Sequence, residues 1–159
     1  MRSIFLPLLI LFAACGPRET LCESHFSPYP DAVSGRVRTA ENAALLDGMS
    51  AYARGDFSAA VPALSTYLAA KEHDGQARLY LAVSSIAIGE PFQAELQLDF
   101  MDREDVNSFN DQIEWYRALC LVCSDQHDRA LQAATAIASS ERHTYKAEAA
   151  HLMEDLLHE

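Results

Sequence analysis

An all-α stack of helix pairs is the fold that the sequence predicts, and three observations predict it. About a sixth of the 159 residues are alanine, the strongest helix former and small enough to let helices approach closely. The segment from Asn42 matches the segment from Gln76 at a constant shift of 34 residues, the signature of a repeat architecture. No stretch alternates apolar and polar residues as a half-buried strand would. The length suits one domain of ordinary size. Asp and Glu number 23 against 12 Lys and Arg, a net charge of −11, which argues against nucleic acid as a partner and against attraction to anionic headgroups. Four cysteines are too few for a disulfide scaffold, and six Gly with six Pro show no general disorder.

The first element is not part of the fold. Met1-Arg2-Ser3 gives a positive start, Ile4 to Phe12 an apolar run and Ala13-Ala14 a small-residue exit, the plan of an export signal over residues 1–14. The run is far shorter than the ~20 residues of a spanning helix. Leu11-Phe12-Ala13-Ala14-Cys15 resembles the lipobox of bacterial lipoproteins, whose cysteine is acylated and becomes the mature N-terminus. That resemblance makes Cys15 the lipidation site and implies attachment to a membrane through N-terminal acyl chains. Gly16, in place of Asp after the cysteine, resembles the pattern sent to the outer membrane, so the expected location is that membrane, facing the periplasm. Residues 15–38 then read as the lipidated N-terminus and an extended tether, since Pro17, Pro28, Pro30 and Gly35 interrupt any helical period. Phe26 and Tyr29 are the two aromatics in it that could dock on the folded part.

The remainder, residues 39–159, is the repeat domain. At the shift of 34, Gly48 matches Ala82, Gly55-Asp56-Phe57 matches Gly89-Glu90-Pro91, and Ala60 and Leu64 match Ala94 and Leu98. A third copy begins 36 residues further on, with Trp115-Tyr116, Ala118, a turn at Ser124-Asp125 and Ala130. A small residue in the first helix, a Gly turn and an early alanine in the second helix, at this period, resemble the tetratricopeptide (TPR) repeat. The resemblance implies a helix-turn-helix repeat stack of about three TPR-like repeats plus a C-terminal capping helix. Asp47 and Arg117 depart from the leucine usual at their position, which only the middle copy keeps, as Leu81. The helices are expected over Glu41–Arg54, Phe57–Lys71, Gly75–Ile88, Pro91–Met101, Asp111–Cys123, His127–Ser139 and Arg142–Leu157. The last carries Tyr145, Ala149, Leu152 and Leu156 on one stripe and should close the stack.

In each first helix, residues at i, i+4 and i+7 form an apolar stripe: Leu45, Met49, Tyr52; Leu79, Val83, Ile86; Trp115, Leu119, Val122. TPR resemblance places them on the concave surface, making them a candidate groove for an unidentified protein or peptide partner. The same stripe also reads as ordinary core, covered by the tether aromatics or the last helix.

Chemistry has few candidates. Cys120 and Cys123 form a C-x-x-C with His127 four residues on, a weak metal or thiol-redox set, because zinc wants more ligands and the Ser124-Asp125 turn would break the shared face. Packing between helices is the plainer role for the two thiols. A bond from Cys22 to either of them, tying the tether to the third repeat, stays open. His143 and His151 are expected on a solvated helical surface. Asp111 and Glu114, near Trp115, lack the companions of an acid-base site. The expectation is a non-enzymatic, membrane-tethered interaction module of the bacterial cell envelope, with no cofactor. Its alternatives are a subunit of an outer-membrane assembly complex and a thiol-redox or metal-handling lipoprotein.

Overall fold

The computed structural model describes residues 20–104 and 107–158. The expected signal segment, Cys15 and Gly16 lie outside the described residues. Among the described residues eight α-helices succeed one another: α1 (Leu21–His25), α2 (Ala43–Ala53), α3 (Phe57–Ala70), α4 (Gly75–Ala87), α5 (Pro91–Arg103), α6 (Asn110–Val122), α7 (His127–Ser139) and α8 (Lys146–His158). A 3-10 turn at Asn107–Phe109 leads into α6. Helix α2 pairs with α3, α4 with α5 and α6 with α7, while α8 closes on α7. This is a TPR-like stack of antiparallel helix pairs with a capping helix. The first helices α2, α4 and α6 are neighbours and make the inner layer.

Local chemistry sets the boundaries. Asp56 and Asp74 accept hydrogen bonds from the backbone N–H of Ala59 and Ala77 and so cap α3 and α4, and Pro91 opens α5 where its missing N–H costs nothing. Gly55 and Gly89 end the first two turns at φ of 73° and 77°, a region that favours glycine. In the third repeat Asp125 takes the same left-handed place at φ 56°, which Asp tolerates better than most side chains. The turn survives without its glycine.

Small residues govern the packing inside each pair. Ala82 and Ala118 in the first helices, and Ala60, Ala94 and Ala130 in the second, are wholly buried. A Cβ on Gly48 would stand 2.9 Å from Leu64 Cγ, so α2 and α3 approach more closely there than a side chain at residue 48 would allow. Asp47 and Arg117 point outward into ion pairs. Arg38 forks onto Asp47 at 2.8 and 3.0 Å, and Arg117 reaches Asp99 and Asp102 at 3.0 and 3.3 Å. The leucine of the family pattern is replaced there by a charge with a partner.

The last helix starts later than the sequence suggests, at Lys146 instead of Arg142. Asp111 accepts from both the backbone N–H and the hydroxyl of Thr144, at 2.7 and 2.6 Å. These bonds hold residues 143–145 in a turn against α6, and they keep the Asp111 carboxyl below its usual range. The expected stripe does face inward, with Ala149 and Leu152 wholly buried and Tyr145 and Leu156 packed on the core.

The segment expected to be a loose tether is, from Thr20 on, a strap laid on the domain. Thr20 and Glu23 form a reciprocal capping box that starts α1. Residues 26–32 are non-helical. Asp31 accepts from the N–H groups of Val33 and Ser34, and Val33 is sealed in the core at 1% exposure. Among the described residues no helix is long and apolar enough to cross a membrane.

Candidate functional site

The inner layer gathers the repeated stripe. Leu45, Met49 and Tyr52 on α2, Leu79, Val83 and Ile86 on α4, and Trp115, Leu119 and Val122 on α6 are each 5% exposed or less. What covers much of this face is the chain itself. The strap crosses α6, α4 and α2, and each of these helices offers it a tyrosine. The Tyr116 hydroxyl donates to the Ser27 carbonyl at 2.9 Å, Tyr80 to that of Pro30 at 2.9 Å and Tyr52 to that of Tyr29 at 2.7 Å. Tyr80 also accepts from the Ala32 N–H at 2.9 Å.

All of these bonds reach the strap's backbone, so they recognise an extended chain without reading its side chains. The side chains are held by rings. Tyr29 lies 5.7 Å from Tyr80 between centroids, and Phe26 meets Phe57 edge-on at 6.2 Å, arrangements that add to their burial. Burial pushes the phenols of Tyr52, Tyr80 and Tyr116 above their ordinary range, which keeps them protonated as donors. Trp115 serves a different contact: its indole stacks on Tyr145, 5.5 Å between centroids and 8° from parallel, joining α6 to the turn that enters α8.

The strap is also fixed covalently. Cys22 in α1 and Cys123 at the end of α6 form a disulfide across 101 residues of sequence. Beside it a cleft of about 650 Å³ opens, with Leu21, Ile86, Val122 and His127 in its lining.

The weak C-x-x-C candidate is thereby corrected. The sulfur of Cys123 is bonded to Cys22 and is no thiolate ligand. Cys120 is buried, and desolvation pushes its thiol up to about 12, so it behaves as a small apolar residue. His127 opens α7 beyond the Asp125 turn, 4.0 Å from the Asp125 carboxylate. The three do not form one face. A second correction concerns His143, expected on an exposed helix: it precedes α8, is 8% exposed and has Glu114 at 3.4 Å and Asp111 at 3.9 Å. Asp111 and Glu114 thus serve the joint between α6 and α8.

Sequence reasoning missed the Tyr80 and Tyr116 hydroxyls, although the two stand 36 residues apart at the same place in successive repeats. That recurrence was the available signal. The Thr20-x-x-Glu23 capping pattern was another, and it marks ordered chain inside the supposed tether. No family model, no curated protein and no solved structure matches this chain.

Proposed function

We propose that the chain is a non-enzymatic interaction module of the bacterial cell envelope, anchored through acyl chains on Cys15 to the outer membrane and facing the periplasm. One observation carries the binding reading. The inner face of α2, α4 and α6 already holds an extended peptide, its own strap, by three tyrosine-to-carbonyl hydrogen bonds. Backbone recognition of this kind suits any extended segment with apolar side chains at the right spacing. A partner's segment takes the strap's place against Tyr52, Tyr80 and Tyr116, starting from the cleft beside the disulfide, while Trp115 keeps its contact with Tyr145. The helical-repeat architecture itself is typical of non-catalytic scaffolding proteins. The anchor reading is supported by the Leu11–Cys15 pattern, and the compartment by a disulfide, which persists in the periplasm and is rare in the cytosol.

Two experiments test this. Labelled palmitate should enter the protein and not its Cys15→Ser variant; incorporation that ignores the change removes the anchor. Crosslinking in cells, followed by capture of the full-length protein, should return the same envelope protein repeatedly. Cys22→Ser, which frees one end of the strap, should raise that yield. Equal yields would move the partner off the inner face, and repeated empty capture from both forms would sink the module.

A further inference from the structure

Away from the inner face, and independently of the function just argued, we propose that His25, His151 and Asp155 form a binding site for a zinc-class divalent cation that clasps the strap to the closing helix. His151 and Asp155 lie at i and i+4 on α8, so one rigid helix face presents an imidazole and a carboxylate together. His25, at the end of α1, brings the third donor from 130 residues away in sequence. Both imidazoles converge on a single carboxylate oxygen: His25 Nε2 is 2.8 Å and His151 Nδ1 3.3 Å from Asp155 Oδ2. All three donor atoms lie within 4.8 Å of one another. Zinc bonds of ~2.0–2.1 Å in tetrahedral array place neighbouring donors roughly 3.3–3.4 Å apart. The present spacing needs only small side-chain movements to reach that.

The donor set fits the ion. Two imidazoles and one carboxylate suit zinc and its neighbours among the divalent transition metals, and not calcium or magnesium, which take oxygen ligands. Three protein ligands leave a fourth position for water, and the exposed side of the cluster gives the ion a way in: the His151 side chain is 70% and that of Asp155 40% exposed. His25 is the anchored ligand at 6%, and its ring already lies 5.1 Å from that of His151. A net charge of −11 on the chain attracts cations to the surface. Because His25 belongs to the strap and the other two to α8, the complete ligand set exists only while the strap is docked. Cation binding and strap docking are therefore linked.

The test uses untagged full-length protein in detergent, stripped with chelator and dialysed against micromolar free zinc, with zinc per chain measured by elemental analysis and melting followed in zinc and in chelator. One zinc per chain and a higher melting temperature in zinc are expected. His151→Ala and Asp155→Asn, changes at the two more exposed ligands, should weaken binding by more than the ~10–100-fold that loss of an outer hydrogen-bond partner costs a metal site. His73→Ala is the control, since His73 is an exposed histidine between Glu72 and Glu104, and it should bind as the wild type does. No zinc on the wild type overturns the proposal. So does wild-type binding by His151→Ala and Asp155→Asn, or an equal loss in all three variants, which would mark diffuse surface binding.

Discussion

Opening the Cys22–Cys123 bond is the perturbation with the largest calculable consequence. The bond closes a loop of 101 residues, and cross-linking a loop of about 100 residues removes enough freedom from the unfolded chain to stabilise the fold by ~4.7 kcal/mol on the chain-entropy account, against a usual measured range of ~2–4 kcal/mol. That is a large part of the ~5–15 kcal/mol available to a domain of this size. For the roughly 140 described residues, the entropy of unfolding near the midpoint is roughly 0.3 kcal/mol per kelvin. A loss of ~2–4 kcal/mol therefore lowers Tm by roughly 7–14 °C.

The assay is calorimetric or circular-dichroism melting of wild type and Cys22→Ser, with and without reductant. Wild type under reductant should fall to the level of Cys22→Ser, and Cys22→Ser should ignore reductant. Hydrogen exchange at the Ala32 amide separates two contributions: the tyrosine hydroxyl bonds do not depend on the disulfide, so Ala32 keeps part of its protection in the variant. A Tm within ~2 °C of wild type for Cys22→Ser, far inside the expected fall, would refute the reasoning and show that the strap's end carries no constraint on the unfolded chain.

Other predictions address the packing and the inner face. Ala94→Leu forces a larger side chain into the α4–α5 contact, where Ala94 is wholly buried, and should cost ~1–3 kcal/mol; Ala147→Leu, on the exposed side of α8, should leave Tm nearly unchanged, and equal melting of the two would mean the repeat frame is misplaced. Tyr80→Phe leaves the Pro30 carbonyl without its donor and the Ala32 N–H without its acceptor, so denaturant titration should show ~1–3 kcal/mol lost, more than the ~0.5–1.5 kcal/mol of the single bond in Tyr116→Phe; the reverse order would deny Tyr80 its double role. Trp115→Ala should cost ~3–5 kcal/mol, and iodide should quench the wild-type indole poorly because it is 2% exposed; a quenchable indole with an unmoved Tm would place Trp115 on an open surface.

The parts legible in the sequence were those governed by local constraints. A left-handed turn restricts residue choice, so Gly55 and Gly89 mark their turns, and a close helix crossing admits only Gly48, Ala82 or Ala118. The helix starts at Phe57, Gly75, Pro91 and His127 follow from such signals and match the structure. The start of α8 does not, because the bond from Asp111 to Thr144 that delays it joins residues 33 apart. The strap escaped for the same reason. Its composition, with Pro28 and Pro30 among polar residues, reads as linker, while its docking rests on Tyr80, Tyr116 and Cys123, whose bonds to it span 48 to 101 residues of sequence. The C-x-x-C misled in the opposite direction: its spacing is local, but α6 ends between the two cysteines, leaving Cys120 in the core and Cys123 facing the strap.

The strap changes what an anchor at Cys15 would mean mechanically. As a free tether, residues 15–38 would span at most ~75–85 Å at ~3.3–3.6 Å per residue and let the domain wander well away from the bilayer. With Cys22 bonded to Cys123, the covalent attachment on the fold comes only seven positions after the anchor, a reach of at most ~25 Å. Under the proposed anchor the domain is held close to the headgroups, with the end of α6 and the cleft beside the disulfide nearest to them. A net charge of −11 opposes contact with an anionic surface, so the short leash and the repulsion act against each other. Together they favour a domain held near the membrane without lying on it. A partner approaching along the bilayer would then meet the cleft end of the inner face first, and opening the disulfide would free the strap's leading end and lengthen the leash in one step, with residues 27–32 still held by the tyrosines.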